Sequence, residues 1–181
     1  MSDMMKNLRG ASLYLSGAID RVKDDGLGWR KEFKNKCKKA NLPVNFLDPT
    51  DKPEHLGSEI GEEKNRVRML MEQHKWDQAK NQAKYFRHID LRMVDNCHLF
   101  IVYIDINCHL CGTYDELFTA EDQRKPMMAI MAPGQSKWDL PSWLVSIFDE
   151  DDVFDDVESC VEHLKLLHEG KIVFDDRWIM I

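Results

Sequence analysis

Short apolar runs alternate with longer amphipathic segments along this chain of 181 residues. Such runs are typical of strands that are buried on both faces, and the amphipathic segments are typical of the helices that cover them. We predict strands at 11–17, 43–47, 98–105, 125–131 and 171–174, with helices that include 29–40 and 153–168. Strands that alternate with helices indicate the α/β class, with a parallel sheet of about five strands covered on both faces.

The segment 59–86 departs from this alternation because it is highly charged, with apolar residues such as Val67, Leu70, Met71 and Trp76 in between. The pattern predicts a long or broken helix inserted at one edge of a single domain that spans 1–181. Its mixed charges favour a solvent-facing surface, whereas the apolar positions favour packing on the core or on a second subunit.

Composition narrows the function classes. The content of 43% hydrophobic and 31% charged residues is typical of a soluble globular protein, and the formal charge of −7 disfavours binding to nucleic acid polymers or to anionic membranes. The first ten residues lack the apolar core of a signal peptide, and no apolar run is long enough to span a membrane. We therefore expect a cytoplasmic protein whose five cysteines are reduced thiols.

Two cysteine and histidine clusters resemble zinc-ligand spacing, namely Cys97–His98 and Cys108–His109–Leu110–Cys111. The predicted strand between them would hold the clusters some 20 Å apart, so they cannot share one tetrahedral site. We expect buried or loop thiols here and no metal. The chain also contains neither a G-x-G-x-x-G motif nor a P-loop, so no dinucleotide or Walker-type triphosphate site is indicated.

Two acidic residues flank the strand predicted at 98–105. Asp90 precedes it, early in a helix where Val94 and Cys97 share its face, and Glu116 follows it in the opening turn of the next helix. Both helices begin at the carboxyl edge of a parallel sheet, where such folds bind ligands. Two carboxylates in one cleft can supply the nucleophile and the acid or base that cleavage of a glycosidic bond requires.

Both acids also have structural interpretations. Thr113-x-x-Glu116 is a capping box, in which the glutamate side chain bonds to the backbone at the helix start. Asp90 is equally explained as a partly buried acid paired with Arg87 or Arg92. The sequence leaves these alternatives open.

Further candidates lie at the ends of the first two predicted strands. Tyr14 and Ser16 share a face, and Gly17 ends its strand where a backbone can approach a ligand. Asp48 precedes Pro49 and either contacts a ligand or shapes the turn. The tryptophans at 138 and 143 are expected to form a wall of the cleft.

Four motifs in this order resemble the nucleoside 2-deoxyribosyltransferase family, whose superfamily includes deoxynucleoside 5′-monophosphate N-glycosidases. They are Tyr14-Leu-Ser-Gly17, Asp48-Pro-Thr50, Asp90-Leu91 and Gly112-Thr-Tyr-Asp-Glu116. The resemblance covers most of residues 11–150. It implies a flavodoxin-like three-layer sandwich, homo-oligomers in which a neighbour helps to complete each site, and no metal or organic cofactor.

The resemblance also implies a role for each residue. Glu116 matches the nucleophile, which attacks C1′ of a 2′-deoxynucleoside, displaces the base and forms a covalent deoxyribosyl-enzyme. A second base resolves this intermediate in transfer, and water resolves it in hydrolysis. Asp90 matches the acid that binds or protonates the base, and Tyr14 matches the residue that orients the glutamate. The positions that hold base and sugar are Ser16, Gly17, Ala18 and Asp20.

The predicted start of the helix at Gly112 and Thr113 adds two expectations. Its dipole would keep Glu116 ionised, and its free N–H groups would bind a 5′-hydroxyl or a 5′-phosphate. Burial would keep Asp90 protonated for donation to the base. The expected partners are therefore a small-molecule nucleoside or nucleotide and a free base.

The chain departs from the family at two places. Many relatives carry Asp or Asn ahead of the glycine, where this chain has Cys108–Cys111, and an acid is common at His98. The choices between nucleoside and monophosphate and between transfer and hydrolysis stay open. The alternatives to an enzyme are a nucleotide-binding module without turnover and a purely structural oligomeric domain.

Overall fold

The computed structural model describes residues 7–20, 22–56 and 60–179. Within these ranges the strands are β1 Ser12–Gly17, β2 Asn45–Leu47, β3 Leu99–Ile104, β4 Met127–Met131 and β5 Val153–Phe154. The helices of at least one turn are α1 Leu27–Lys39, α2 Gly61–Glu72, α3 Trp76–Asn96, α4 Cys111–Asp122, α5 Ser142–Val145 and α6 Val157–His168. The strands form one parallel sheet in the order β2-β1-β3-β4-β5, the order of the flavodoxin-like fold, so the predicted fold class is confirmed.

Alternate strand residues supply two separate hydrophobic layers. Leu13 and Leu15 of β1 pack in one layer with residues of α1 and α6. Tyr14 packs in the other layer with residues of α3, α4 and α5. Because β3 and β4 are covered on both faces, nearly all of their side chains are buried, which explains why these strands are continuous apolar runs in the sequence.

The connections that follow the neighbouring strands β1 and β3 cross opposite faces of the sheet. After β1 the chain crosses to β2 through α1 on one face, and after β3 it crosses to β4 through α4 on the other face. Parallel sheets bind ligands in the crevice that such a reversal opens at the carboxyl ends of the strands. In this chain the crevice lies between the ends of β1 and β3.

Residue 59 of the charged segment 59–86 lies outside the described residues, and from Gly61 onwards the segment forms the helix pair α2 and α3, which is interrupted at His74, a residue with φ of 58°. This is the broken helix that the sequence predicted. The second helix, however, starts at Trp76 and continues through Asp90, so Asp90 lies in its second half and not near its start. None of the helices in the described ranges is long and apolar enough to cross a membrane.

The length of α3 explains why it reaches the crevice. A helix of 21 residues is about 31 Å long, whereas the six residues of β3 span about 20 Å. The first turns of α3 therefore extend past the end of the sheet, where α2 packs against them. The pair forms a wall beside the carboxyl edge.

The prediction of a fifth strand at 171–174 was wrong. The fifth strand is β5, which pairs with β4 through Ala129 and Ile130, before α6 and not after it. Ile172 and Phe174 are partly buried against the core without joining the sheet. Apolar composition indicates burial, but it does not distinguish a strand from an irregular segment that packs on the surface of the core.

The tail after α6 docks on its own chain. The N–H of Ile179 donates to the carbonyl of Arg124 at 2.6 Å, and the guanidinium of Arg177 contacts the carboxylates of Asp149, Asp152 and Asp175. These contacts hold residues 175–179 against the rest of the chain.

A buried arginine fixes the end of β1. Arg30 of α1 is 1% exposed and donates to the carbonyls of Leu15, Gly17 and Gly26 at 3.2, 2.9 and 2.8 Å. Its guanidinium thereby joins the last residues of β1 to the loop that precedes α1. This anchoring positions the strand end that borders the crevice.

Candidate active site

Glu116 is oriented by two hydroxyl groups of β1. The Tyr14 hydroxyl donates to Oε1 of Glu116 at 2.9 Å, and the Ser16 hydroxyl donates to Oε2 at 2.5 Å. Tyr14 and Ser16 are both fully buried, and the Tyr14 ring stacks on Phe100 with centroids 5.6 Å apart. Packing thus limits the movement of the two donors, and each carboxylate oxygen has its own donor.

The capping-box interpretation of Glu116 was wrong. Helix α4 begins at Cys111 after Leu110, and no side chain caps its first turn. Glu116 is the sixth residue of this helix, in its second turn, where its side chain extends to β1. The field of a helix terminus falls off within the first turn, so the helix stabilises a negative charge on Glu116 less than the sequence predicted.

Asp90 has a partner that the sequence did not indicate. Lys52, in the loop after β2, places its ammonium 2.8 Å from Oδ1 of Asp90, and the exposures of the two side chains are only 1% and 8%. Arg87 and Arg92, the predicted partners, contact Asp115 and Asp95 instead. An adjacent ammonium stabilises a carboxylate anion, which opposes the expectation that Asp90 is protonated.

Asp90 and Glu116 line the same cavity, of about 1010 Å³, at the carboxyl edge of the sheet. An adjoining cavity of about 450 Å³ shares five lining residues with it, namely Ile19, Asp20, Cys111, Gly112 and Glu116. Small-molecule sites typically enclose about 300–1,000 Å³, so there is room for a ligand of nucleoside size.

The cavity has an apolar wall and a polar wall. The α2–α3 pair supplies the apolar wall, with Val67, Met71, Ala83, Phe86 and Leu91. The polar wall is formed by the start of α4 and by the loop after β1. The predicted site residues that line one or both cavities are Gly17, Ala18, Asp20, Asp90, Gly112, Thr113 and Glu116.

The contacts of Asp48 favour turn formation over ligand binding. Its carboxylate accepts hydrogen bonds from the backbone N–H and the hydroxyl of Thr50, at 2.8 and 2.6 Å, and lies 2.6 Å from Lys34 and 3.5 Å from Arg30. Burial acts to lower the pKa of Lys34, but hydrogen bonds and charges from Asp48 and Asp51 outweigh burial and raise this pKa. Asp48 therefore anchors its loop to α1 instead of facing the cavity.

Packing leaves little room for a side chain at Gly17. A Cβ atom at this position would lie 3.0 Å from Cζ2 of Trp29, whose ring stacks on Tyr103 with centroids 4.9 Å apart. The sequence analysis attributed this glycine to the approach of a ligand. The structure shows that the indole of Trp29 occupies the space beside it, although Gly17 also borders the smaller cavity.

The two cysteine and histidine clusters are structurally separate. His98, at the amino end of β3, accepts a hydrogen bond on Nδ1 from the N–H of Ser12 at 3.0 Å. Cys108 lies beyond the opposite end of β3, where its thiol donates to Asp105 at 3.2 Å. Across the described ranges, no group of three or more His, Cys, Asp or Glu side chains is arranged to hold a metal ion. The departure from the family at His98 is therefore remote from Glu116.

The expectation that two tryptophans form a wall of the cleft was wrong. Trp138 and Trp143 are 77% and 74% exposed and lie outside the cavity lining. The apolar wall is made by α2 and α3 instead. The amphipathic spacing of α2 and α3 was visible in the sequence, but nothing in it indicated that their apolar face borders a cleft.

A comparison with solved structures finds two enzymes whose structures are similar to that of this chain. It matches a 2-deoxyribosyltransferase from Bacillus psychrosaccharolyticus with a TM-score of 0.54 and 14% identity, over 83% of this chain and 90% of that one. It matches a CMP N-glycosidase from Clostridium botulinum with a TM-score of 0.45 and 13% identity, over 86% and 98% of the two chains. No protein-family profile and no curated protein sequence matches the chain. The first match shows that the chain shares the fold of the deoxyribosyltransferase.

Proposed function

We propose that this protein cleaves the N-glycosidic bond of a 2′-deoxynucleoside or its 5′-monophosphate through a covalent deoxyribosyl-Glu116 intermediate, and transfers the sugar to a second base. One observation carries the proposal. A glutamate that is held by Tyr14 and Ser16 shares a cavity of suitable size with the buried acid Asp90. The fold is also that of a known 2-deoxyribosyltransferase.

In the first step, one carboxylate oxygen of Glu116 attacks C1′ while the bond to the base nitrogen breaks. The bonding electrons leave with the base. The oxygen that attacks becomes the ester oxygen, and the other oxygen becomes the ester carbonyl and keeps its hydroxyl donor on β1. Tyr14 and Ser16 are thus positioning residues, which hold both oxygens in the orientation that attack requires.

The leaving base needs a hydrogen-bond donor or a proton as negative charge develops on it. Asp90 lines the cavity together with Phe86 and Leu91, which provide surface for a flat heterocycle, and the ammonium of Lys52 lies 5.8 Å from the centre of the Phe86 ring. In the proposed mechanism this pair stabilises the departing base. Lys52 lies outside the cavity lining and contacts Asp90, so its proton reaches the base through the Asp90 carboxyl group.

The second step reverses the first. A nitrogen of another base attacks C1′ from the face that the first base left, and Glu116 is released as a carboxylate. Two successive inversions retain the configuration at C1′. If water attacks instead, the products are the free base and free deoxyribose or its 5-phosphate.

The test uses the four common deoxynucleosides and their 5′-monophosphates, each with a different free base as acceptor, and chromatography of the products. We expect a new deoxynucleoside to form with the wild type, and a protein species heavier by one deoxyribosyl group after an acid quench. Glu116→Gln should abolish both signals. Glu121→Gln, which changes an exposed acid on the same helix, should leave both unchanged.

Release of a base without any exchange product would assign the chain to hydrolysis instead of transfer. Binding of a nucleotide without turnover would favour a binding module. Equal turnover by Glu116→Gln and the wild type would contradict the role of this residue as the nucleophile.

A further inference from the structure

The motif Cys108-His-Leu-Cys111 has no role in the proposed reaction, although it lies directly beside the cleft. It occupies the connection between the end of β3 and the start of α4. Two cysteines at this spacing, between a strand and a helix of a parallel sheet, are typical of reversible thiol–disulfide pairs. Both thiols are at least partly accessible, whereas the other three cysteines of the chain are buried.

Cys111 is the accessible member of the pair. It is the exposed first residue of α4 and lines both cavities. Among the described residues outside its own helical turn, no atom lies within 4 Å of a Cβ built at Gly112, so there is open space beside this turn. A small reagent that enters the cleft therefore meets the thiol of Cys111 first.

Cys108 lies three positions earlier, within reach of Cys111. It is half-buried, its thiol donates to Asp105 at 3.2 Å, and the chain bends at this residue. The Cα atoms of two such residues are at most about 11 Å apart, and a disulfide needs about 4.4–6.8 Å. Leu110, with φ of −107° and ψ of 31°, is not extended, which shortens the separation. A disulfide therefore requires only a rearrangement of residues 108–111.

We propose that Cys108 and Cys111 form a reversible disulfide, with a low-molecular-weight disulfide such as oxidised glutathione as the oxidant. Forming this bond moves the start of α4 away from its position in the cleft wall. The inference goes beyond the proposed function, because the thiol chemistry does not depend on the reaction at Glu116.

The oxidation takes place in two exchanges. The thiolate of Cys111 attacks one sulfur of oxidised glutathione, and the other sulfur leaves as a glutathione thiolate. The thiolate of Cys108 then attacks the sulfur of Cys111 and releases the second glutathione. The two cysteine protons pass to solvent, which protonates the two leaving thiolates, so two cysteine thiols are oxidised and one glutathione disulfide is reduced. Burial and the hydrogen bond to Asp105 raise the pKa of Cys108, which favours Cys108 as the second nucleophile.

The disulfide would change the cleft wall but not the support of Glu116. Cys111 belongs to the cavity lining and Cys108 does not, so the sulfur of Cys111 must turn away from the cavity to reach its partner. The first turn of α4 is closed by the hydrogen bond from the N–H of Tyr114 to the carbonyl of Leu110, at 2.8 Å. Glu116 lies in the next turn and is held from β1.

The first test incubates the reduced protein in glutathione buffers, quenches with acid and measures the mass of the protein and of its peptides. We expect a species that is lighter by two hydrogen atoms, with a link between Cys108 and Cys111. Its fraction should depend on the square of the reduced glutathione concentration, because two glutathione molecules are released. The buried Cys37, Cys97 and Cys160 should stay reduced and serve as internal controls.

A matched pair of variants separates the two exchanges. Cys108→Ser retains a hydroxyl that can donate to Asp105, and it should stop at one glutathionyl group on Cys111. Cys111→Ser carries the same substitution three positions later and should stay unmodified. A stable glutathionyl adduct in the wild type, or a disulfide between two chains, would overturn the inference.

The second test measures the start of α4 by hydrogen–deuterium exchange, which does not require turnover. The amide of Tyr114 should exchange faster in the oxidised protein and return to its original rate after addition of dithiothreitol. An unchanged rate in a fully oxidised protein would overturn the proposed movement of the helix start.

The third test links this chemistry to the proposed function. Oxidation should slow base exchange about 100-fold, because a displacement of about 1 Å in a binding site has an effect of that size. Base exchange by a reduced protein that forms no disulfide would overturn this inference and support the proposed function. A reversible disulfide with faster exchange at Tyr114, in a protein without base exchange, would support this inference and overturn the proposed function.

Discussion

The hydroxyl of Tyr14 donates a hydrogen bond of 2.9 Å to Glu116, a residue 102 positions later in the chain. This contact joins strand β1 to α4, the helix that follows β3, across the crevice at the edge of the sheet. The same carboxylate accepts a second hydrogen bond from Ser16. The orientation of the proposed nucleophile is thus set by β1 and not by its own helix.

We expect Tyr14→Phe to lower turnover without unfolding the protein. Phenylalanine keeps the ring that stacks on Phe100 and removes only the hydroxyl. A hydrogen bond to a charged group is worth about 1.5–3 kcal/mol, which corresponds to a loss of roughly 10- to 150-fold in kcat. Steady-state kinetics and thermal unfolding of the variant and the wild type measure the two effects separately.

Ser16→Ala provides the matched comparison, because it removes the donor to the other carboxylate oxygen. Since the two hydroxyls hold one carboxylate, the double variant should lose less than the product of the two single losses. An unchanged kcat in both single variants would show that neither hydroxyl positions Glu116 for attack.

The buried pair of Lys52 and Asp90 gives a prediction on stability. Lys52→Met leaves a buried carboxylate without its ammonium partner, and breaking such a pair typically costs about 3–5 kcal/mol. The variant Lys52→Met/Asp90→Asn removes both charges and should recover part of that loss. Urea unfolding of the wild type, both single variants and the double variant yields the coupling free energy.

A control for this cycle is Arg68→Met, which breaks an ion pair whose side chains are 81% and 63% exposed. Exposed pairs contribute about 0–1 kcal/mol, so this variant should unfold close to the wild type. Equal stability of Lys52→Met and Arg68→Met would contradict the structural importance of the buried pair.

Thiol chemistry should single out Cys111. Burial raises the pKa of Cys37 to about 12 and that of Cys97 to about 11, and it raises the pKa of Cys160 well above the usual value. Burial and the carboxylate of Asp105 also raise the pKa of Cys108. Cys111 is exposed, and thiolates are the reactive species.

We therefore expect iodoacetamide to add one group rapidly to the native protein at pH 8, at Cys111, and to modify all five cysteines after unfolding. Because Cys111 lines both cavities, this modification should block nucleoside turnover. Intact-protein and peptide mass spectrometry identify the site. Cys111→Ser should resist inactivation, and rapid labelling of Cys97 or Cys160 would contradict the described core.

His163 should make stability depend on pH. Burial lowers the pKa of this histidine below its usual value of 6.5, against the opposing charges of Asp152 and Asp151, and its ring packs edge-on against Phe154. The unfolded chain then binds more protons than the folded one below about pH 6.5. The free energy of unfolding should decrease as the pH falls through that value towards the lower pKa of the folded state.

The variant His163→Leu removes this titrating group and retains an apolar side chain beside Phe154. Its free energy of unfolding, measured in urea between pH 8 and pH 5, should fall less steeply on acidification than that of the wild type. The comparison uses the slope of the free energy of unfolding against pH, so a change in stability that is the same at every pH does not affect it. Parallel curves for the two proteins would exclude His163 as the source of the dependence.

Local spacing in the sequence determined the fold class and much of the cleft. Apolar runs and helical periodicities are set by burial, so they predicted the parallel sheet and its first four strands, with boundaries close to those observed. The alternation of side chains along a strand placed Tyr14 and Ser16 on one face. The positions of Asp90 and Glu116 on either side of β3 placed both acids at one edge of the sheet.

Only the tertiary structure decided which groups meet. Lys52 and Asp90 are 38 residues apart, and Ser16 and Glu116 are 100 apart, so no local pattern records either contact. Local patterns likewise did not show that Asp48 anchors a loop, or that residues 171–174 pack on the core without joining the sheet. Local spacing specifies which face of an element is buried, whereas the partner of a buried polar group depends on how distant elements pack together.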